Sequence, residues 1–383
     1  MEIHLFTLVL ASLLFFAVAD DSPLAASYTI PVIDLTFETD RQVVVDREGG
    51  QYLGHPSAVL LEDGETILCV YPKGHGRGAI VYKRSDDGGR TWSERLDTPD
   101  SWATSLEVPT IHRVIDGAGN KRLILFSGLY PARLAVSEDD GASWSGLEAV
   151  GEWGGIVVMG SVARLADGRY GAWFHDDGRF RRAERGPGKF EVFQTISNDG
   201  GLTWSSPLAI ADHASAHLCE PGFVRSPDGK TIALLLRENS RRHNSFVITS
   251  TDEGATWSAP RELPAALTGD RHTAVYTPDG RLFISFRDTT RESITKGDWV
   301  AWVGRWQDIV EGTEGQYRVR LIDNHKGGDC AYPAVMVQPD GTIVCITYGH
   351  WTPNQSPWIA CVRLTIDELD ARFSAVRGKN VAR

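Results

Sequence analysis

The chain has 383 residues, including 39 glycines, 12 tryptophans and 3 methionines, and its formal net charge is −11. This acidic balance argues against nucleic acid and against an anionic membrane surface as partners. It does not exclude an acidic substrate, because a local cluster of arginines can outweigh the global charge. Short, evenly spaced strand patterns favour one large all-β domain, which we expect to be monomeric.

The chain begins with an apolar segment, residues 5–18, which ends in the small-x-small pattern Ala17-Val18-Ala19. This pattern is typical of a secretory signal peptide, although no Lys or Arg precedes it. The segment is short for a membrane span, and no later segment is apolar enough to be one. We therefore expect residues 1–19 to be removed, residues 20–383 to form the catalytic domain, and the protein to be secreted or periplasmic.

One pattern recurs six times: an apolar strand, an Asp-Gly type turn and a second apolar strand, as in PSAVLLEDGETILCVYP. The turn glycines stand 51 to 61 residues apart and are Gly64, Gly117, Gly168, Gly229, Gly280 and Gly341. This spacing suits one four-stranded sheet per repeat. The sequence therefore predicts a single β-propeller with six blades.

The last repeat contains a third strand, WIACVRLTID, but no clear fourth strand. The early run DLTFETDRQVVVD, residues 34–46, can supply it. Pairing the two ends of the chain would close the ring and remove an exposed sheet edge. The sequence alone does not rule out a seventh blade within residues 28–50.

A second motif, Ser-x-Asp-x-Gly-x-Thr/Ser-Trp, follows the third strand of four repeats. Its Asp can accept hydrogen bonds from the turn backbone, its Gly supplies a positive φ, and its Trp can hold the turn against a neighbouring strand. These are Asp boxes, or BNR repeats, which resemble those of sialidases and related propellers. They predict the fold and carry no catalytic role. The four copies are Ser85–Trp92, Ser137–Trp144, Ser197–Trp204 and Ser250–Trp257.

The chain has five cysteines, an odd number, and no CxxC pair, which argues against a zinc site. Cys69 and Cys345 occupy matching places in two repeats, so we expect them to be buried. The sequence allows one disulfide but does not assign its two cysteines. No metal-ligand spacing stands out and no cofactor is expected, apart from a structural Ca²⁺ that the central channel could hold.

The start of strand 1 and the end of strand 2 share one face of a propeller, opposite the Asp-Gly turns. The residues nine positions before the turn glycines are His55, Val108, Met159, Glu220, Arg271 and Tyr332. Polar residues at the ends of strand 2 include Lys73, His75, Arg77, His175, Asp176, Arg179, Arg237, Glu238, Arg287, Asp288, Tyr348 and His350, and Glu107 and His272 flank the first set. Their convergence predicts a functional pocket; the alternative is a polar mouth that simply faces water.

The run EPGFVRSPDGKTIALLLREN…SFVITSTDEGATW resembles the middle of exo-α-sialidases. The resemblance implies that Glu220 assists the nucleophile and that Arg237 belongs to a carboxylate-binding triad, with Arg271 or Arg287 as a further member. DCAYPAVMVQPDGTIVCITYGHW resembles the sialidase segment with the nucleophilic tyrosine, here Tyr332. The front of the chain departs from that family. It has Gly54-His55-Pro56 where sialidases carry an arginine, and no carboxylate in residues 71–77 where they carry the acid.

GHPS, YPKGHGRGAI, EVPTI and WGGIVVMGS…FHDDGRF are more similar to another propeller family, first classed as α-L-rhamnosidases. That family acts by elimination on L-rhamnose-α-1,4-D-glucuronate ends of plant gums. The resemblance extends over nearly the whole chain after residue 19 and implies that His55 is the key catalytic residue. Elimination needs a base, cations on the uronate carboxylate and a proton for the leaving oxygen. Histidine and arginine suit the first two tasks.

Three functions are open on the sequence. The first is an exo-acting lyase with His55 as base and Arg237, Arg271 or Arg287 on the carboxylate. The second is a sialidase-type hydrolase with Tyr332 and Glu220, in which His75 or another group replaces the missing acid. The third is a non-catalytic sugar-binding propeller. All three imply an acidic oligo- or polysaccharide ligand, and the expected substrate-binding residues are Lys73, Arg77, Glu107, His175, Arg237, Arg271, His272, Arg287 and His350.

Overall fold

Six β-sheets surround a central axis in the computed structural model, which describes residues 26–180 and 188–381, with side chains up to residue 375. The predicted signal peptide, residues 1–19, lies outside the described residues. Within these ranges no helix has the length and apolar character needed to cross a membrane. The expected six-bladed propeller is confirmed.

The two ends of the chain meet at the last two blades. Strand β1 (Val32–Asp34) pairs in parallel with β21 (Tyr317–Ile322) at the outside of the fifth blade. Strand β2 (Gln42–Asp46) pairs antiparallel with β24 (Trp358–Leu364) and completes the sixth blade. The predicted ring closure, with the fourth strand of the last blade supplied from residues 34–46, is therefore correct.

The remaining strands follow in chain order, blade by blade. The first blade contains β3 (Ser57–Leu60), β4 (Ile67–Pro72) and β5 (Ile80–Ser85), and the second contains β6 (Thr110–Ile115), β7 (Lys121–Ser127), β8 (Arg133–Ser137) and β9 (Glu148–Ala149). The third contains β10 (Ile156–Arg164), β11 (Tyr170–Asp176), β12 (Glu191–Ser197) and β13 (Leu208–Ala211). The fourth contains β14 (Leu218–Arg225), β15 (Ile232–Glu238), β16 (Phe246–Ser250) and β17 (Arg261–Glu262). The fifth adds β18 (Gly269–Tyr276), β19 (Leu282–Asp288) and β20 (Trp299–Gly304) to β21, and the sixth adds β22 (Ala334–Val337) and β23 (Ile343–Gly349) to β24.

Short helices occupy the loops and one end of the chain. Helix α1 (Trp306–Glu311) follows β20, and α2 (Ile366–Val381) follows β24. Three 3-10 turns cover Thr39–Arg41, Asp100–Thr104 and Ala265–Leu267. The first sheet has three strands instead of the expected four, because the segment after its Asp box makes only isolated backbone bonds, from Ser93 and Leu96, to β5.

The hairpin turns follow the predicted pattern in five blades. Gly64, for example, has φ +77° and donates its N–H to the carbonyl of Leu61. The second blade differs, because Gly119 rather than Gly117 has the positive φ, +87°. The turn has the same five residues between its strands as in the third blade, but its equivalent glycine stands two residues later, so counting nine residues back from Gly117 does not give the equivalent position in this blade.

The Asp boxes form the same bonds in all four copies. In the third copy, Ser197 Oγ donates to Asp199 Oδ1 at 2.8 Å and accepts from the Gly201 N–H at 2.8 Å. The Asp199 carboxylate also accepts from Thr203, at 3.0 Å from N and 2.6 Å from Oγ1. Trp204 is buried, its Nε1 donates to the Gly201 carbonyl, and its ring contacts Phe126 of the second blade. These bonds lie on the turn face, opposite the predicted pocket.

The hydrophobic core is divided into six clusters, one between each pair of successive blades. The cluster between the last and first blades joins β22–β24 to β4 and β5, so it holds the ring closed by side-chain packing as well as by strand pairing. All five cysteines are buried free thiols. The matched positions Cys69 and Cys345 both belong to this core, as predicted.

Replacing Trp204 with Ala should lower the free energy of unfolding by about 3–5 kcal/mol, because it removes a buried aromatic side chain between two blades. Replacing the exposed Leu208, which lies on the same blade, should change it by less than about 0.5 kcal/mol. Chemical denaturation of both variants measures the difference. Equal effects would show that the Trp204 ring does not stabilise the blade interface.

Candidate active site

The mouth of the propeller is shaped by irregular backbone at the start of the first strand of several blades. His55, Glu220 and Arg271 have φ values of +55°, +49° and +56°, in the left-handed region. Val157 and Ala331 share this conformation. In β14 and β18 the strand register shifts at the same point. Left-handed backbone costs a residue with a Cβ roughly 1–2 kcal/mol, so the fold holds these side chains in place against strain.

Tyr332, Glu220 and Arg237 form the centre of the site. The Tyr332 hydroxyl donates a short hydrogen bond to Glu220 Oε1. Arg237 Nη1 donates to the same carboxylate oxygen at 2.6 Å and to the Tyr332 oxygen at 3.1 Å. Burial, and then the neighbouring Glu220, raise the pKa of Tyr332 well above its ordinary value. The phenol is therefore protonated at rest and has its proton acceptor already in contact.

The carboxylate of Asp270 is fully buried and binds three arginines. Arg241 donates to it at 2.5 and 2.8 Å, Arg287 Nε donates at 2.8 Å, and Arg237 Nε lies at 3.1 Å. Burial alone would raise the pKa of Asp270, but the arginines outweigh burial and hold that pKa far below its ordinary value. Asp270 is therefore an anion at any working pH and positions the guanidinium groups around it.

Arg237 and Arg287 are largely saturated by protein acceptors. Arg287 Nη1 donates to the carbonyls of Gly328 and Cys330, at 2.6 and 3.2 Å. Arg237 Nη2 donates to Asn239 Oδ1 at 2.5 Å. Neither guanidinium presents an open two-pronged fork, which is the geometry that best binds a carboxylate.

His55 lies against Tyr332 as a buried, neutral imidazole. Its ring centroid is 4.5 Å from that of Tyr332 and 4.6 Å from that of Tyr348. Nδ1 accepts a hydrogen bond from the Gly76 N–H at 3.2 Å, so Nε2 carries the ring proton and donates to the Tyr348 oxygen at 3.3 Å. Burial, followed by the charges of His75 and Arg287, lowers the pKa of His55 well below its ordinary value.

A second carboxylate, Asp329, organises the neighbouring aromatic wall. It accepts hydrogen bonds from Tyr52 at 2.6 Å and from His350 Nε2 at 3.0 Å, and lies 3.5 Å from His75 Nδ1. Burial opposes ionisation, but these donors prevail and hold the pKa of Asp329 well below its usual range. The side chain of His75 is 65% exposed. His75 and His350 thus border the site, fixed by Asp329.

Glu107 is a buried carboxyl on the same face. Its Oε1 accepts from the Val108 N–H at 2.9 Å, and a Cβ added at Gly76 would lie 3.6 Å from that oxygen. Gly76 also donates to His55, so Glu107 and the imidazole lie close to the same loop. Burial, with a smaller contribution from Glu220, raises the pKa of Glu107 to about 7. The site therefore contains a carboxyl that exchanges its proton near neutral pH.

The other residues expected to bind substrate lie elsewhere on the same face, with the following surroundings. His175 is buried and accepts the Glu220 N–H at 3.3 Å, so it supports the Glu220 backbone. Burial, and then the charge of Arg237, lower its pKa to about 3. Lys73 pairs with Glu48 at 3.3 Å, and Arg77 is exposed on the same loop.

Arg271 and His272 line a cavity on the propeller axis. Arg271 Nη1 donates to the carbonyl of Gly160 at 2.7 Å, and His272 Nε2 donates to the carbonyl of Leu267 at 2.9 Å. The cavity lining contains no carboxylate, so it is a poor fit for the Ca²⁺ ion considered above. Residues 26–180 and 188–381 hold no cluster of three or more His, Cys, Asp or Glu side chains that could bind a metal.

Asp270, Asp329, Arg241 and Tyr52 belong to the site but were not singled out in the sequence. Asp270 immediately precedes Arg271, just as Glu107 precedes Val108. Counting one position per repeat assumes a regular strand, whereas the left-handed bulge turns adjacent residues toward the same region. Examining both neighbours of each counted position would have found Asp270.

Comparison with known proteins agrees with the fold. Residues 126–345, more than half of the chain, match the model of the BNR repeat-like domain, and the chain belongs to that family. A sialidase from Clostridium perfringens is 25% identical over 284 residues, which are 67% of this chain and 61% of the sialidase. The chain thus spans about three fifths of the length of this curated relative. It is a sialidase-like, six-bladed Asp-box propeller and a distant homologue of that sialidase.

Two solved structures share the fold at low sequence identity. A protein of unknown function from Dyadobacter fermentans is 18% identical, with a TM-score of 0.67, covering 85% of this chain and 98% of its own. An α-L-arabinofuranosidase of family GH93 from Fusarium graminearum, solved with arabinobiose, is 11% identical, with a TM-score of 0.64, covering 86% of this chain and 98% of its own.

Replacing Asp270 with Asn should destabilise the protein by about 3–5 kcal/mol, because it leaves buried arginines without their counter-ion. The control is Asp86→Asn, which breaks an ion pair of an exposed aspartate with Arg84 and should cost less than about 1 kcal/mol. Because the folded pKa of Asp270 is depressed, its contribution is present above the unfolded value of about 4 and is lost as the pH falls below it. A denaturation series against pH measures this. Equal losses of unfolding free energy in both variants would show that Asp270 does not hold the three arginines together.

Proposed function

We propose that the protein is an exo-acting glycoside hydrolase in which Tyr332 is the nucleophile and Glu220 its base. The contact between the Tyr332 hydroxyl and Glu220 carries this proposal. A phenol with a raised pKa is a weak nucleophile unless an adjacent base takes its proton during attack. Glu220 can take that proton, and Arg237, which contacts both oxygens, stabilises the negative charge that moves between them.

The reaction follows as a double displacement. Tyr332 Oη bonds to the anomeric carbon of the terminal sugar while its proton passes to Glu220, and the glycosidic oxygen leaves with a proton from an acid. Water then attacks the anomeric carbon, the same acid residue takes a proton from that water, and Tyr332 recovers its proton from Glu220. Two inversions give overall retention of configuration.

Glu107 is the residue we assign to the acid. A proton donor that later acts as a base needs a pKa close to the working pH, and burial raises the pKa of Glu107 to about 7. The alternative from the sequence, His75, is largely exposed and bonded to Tyr52 at 2.7 Å. Glu107 would thus replace the aspartate that the sialidase resemblance leads one to expect in residues 71–77.

The same geometry weighs against elimination with His55 as the base. A base needs an open lone pair directed at the substrate, but Nδ1 accepts the Gly76 N–H and Nε2 carries the proton. His55 would have to break the contact with Gly76 before it could accept a proton. In a hydrolase it needs only to pack against Tyr332 while Nε2–H stays bonded to Tyr348, which is its observed arrangement.

The substrate we propose is the non-reducing end of an extracellular glycan. The names of the similar proteins include a sialidase and an arabinofuranosidase, so the fold is compatible with more than one sugar. Export remains a proposal from the apolar run at residues 5–18. The assay panel is therefore gum arabic, which carries rhamnosyl-glucuronate ends, together with a sialoside and an arabinan.

Replacing Tyr332 with Phe should reduce hydrolysis by about a thousandfold or more, because it removes the nucleophile. His55→Ala should mainly raise KM, since it removes a contact surface and no reacting atom. Sugar release by chromatography measures both, with Tyr130→Phe, an exposed tyrosine, as the control. The opposite pattern, an ultraviolet-absorbing unsaturated uronate lost in His55→Ala and kept in Tyr332→Phe, would establish elimination.

The pH profile tests the role of Glu107. In the wild type kcat/KM should fall as the pH rises through about 7, because the acid must be protonated to act. Glu107→Gln should lose this dependence and about 100- to 10,000-fold of the rate on natural glycosides. On a nitrophenyl glycoside, whose leaving group needs no proton, the loss of the first step should be much smaller. Equal losses on both substrates, or an equal loss in the exposed control Glu152→Gln, would remove Glu107 from this role.

A further inference from the structure

A cavity of about 460 Å³ adjoins the active site and is bordered by Arg241, Arg287, Arg291, Lys296, Gly297 and Gly328. It shares Arg287 with the catalytic centre, where the guanidinium carbon of that residue lies 6.0 Å from the centre of the Tyr332 ring. The cavity thus begins about one sugar ring away from the proposed nucleophile.

The lining of this cavity is positively charged. Its acidic lining residue, Asp288, is fully buried and faces away into protein contacts. Its carboxylate lies 3.1 Å from Arg318 and accepts from Ser293 and Thr295 at 2.6 and 2.7 Å. Because Arg318 matches the charge of Asp288, this carboxylate does not neutralise the arginines and the lysine that border the cavity.

The accessible charge lies in the outer part of the cavity. The donors of Arg287 are directed to Asp270, Gly328 and Cys330, as described above. The side chain of Arg241 is 40% exposed although it also bonds Asp270, and Lys296 is exposed, with Nζ 3.2 Å from the carbonyl of Arg291. An anion would therefore meet available positive charge here rather than beside Tyr332.

We propose that this cavity is an anion subsite, which binds a carboxylate or sulfate group on the glycan next to the reacting sugar. The inference rests on the proposed function, because that function places the reacting sugar at Tyr332. The cavity and its charge do not depend on the chemistry at Tyr332. The sialidase and rhamnosidase resemblances imply that the protein recognises an acid group on the reacting sugar. In this proposal the recognised acid group is on the neighbouring sugar.

Calorimetric titration of the whole protein tests the subsite with three probes: D-glucuronate, D-galactose 6-sulfate and D-glucose. At least one anionic sugar should bind about tenfold or more tightly than glucose, the scale of one hydrogen bond to a charged group. Which of the two binds better identifies the group as a carboxylate or a sulfate. Equal binding of all three sugars would overturn the proposal.

Two substitutions locate the binding. Lys296→Gln, which breaks no contact with a carboxylate, should weaken the anionic sugar by several-fold and leave glucose unchanged. The matched control is Arg242→Gln, because Arg242 follows Arg241 but donates to the carbonyl of Ser215, outside the cavity. An equal loss of affinity in the control would mean that the anionic sugar responds only to the overall charge of the protein, and would overturn the proposal.

The titration is repeated with Tyr332→Phe to separate this inference from the proposed function. If the variant still prefers the anionic sugar but the wild type hydrolyses none of the substrates, the subsite is supported and the proposed hydrolase is wrong. Hydrolysis without any such preference would do the reverse.

Discussion

The buried carboxylate of Asp270 is the interaction on which the rest of the site depends. It neutralises part of the charge of Arg237, Arg241 and Arg287, and without it Arg237 and Arg287, from the fourth and fifth blades, could not be held largely buried side by side. Arg237 then fixes Glu220 and Tyr332. The orientation of the reacting groups thus follows from an ion cluster that contains no substrate atom.

The propeller can hold such a cluster because the blades around it are tightly packed. Six hydrophobic clusters fill the spaces between successive blades, and the last of them joins the two ends of the chain. A closed ring has no free blade that can move away and relieve the strain at His55, Glu220 and Arg271. The Asp boxes stabilise the opposite face, which leaves the mouth free to carry irregular backbone and charged residues.

The sequence predicts the fold well because its signals are local and repeated. Asp-Gly turns and Asp boxes depend on a few neighbouring residues, so their spacing predicts both the blades and the closure of the ring. Counting from the turns also brings His55, Glu220 and Tyr332 to one face. It fails at Gly117, because the glycine with the positive φ in that turn is Gly119.

The chemistry of the site is less visible in the sequence because it depends on contacts between blades. Nothing local to Asp270 indicates that three arginines surround it, and nothing local to Glu107 indicates that burial brings its pKa to about 7. The proton position on His55 depends on a single N–H group from Gly76 in another loop. That contact is the reason why we propose hydrolysis rather than the elimination that the sequence favours.

The most direct test of the central claim is to look for the covalent intermediate. The protein is quenched with acid during turnover of the substrates named above, digested, and its peptides are mapped by mass spectrometry. If Tyr332 is the nucleophile, the peptide that contains it carries the mass of one added sugar residue, and the adduct accumulates in Glu107→Gln when an activated glycoside is used. Turnover to an unsaturated uronate, with Tyr332 unmodified throughout, would contradict the account.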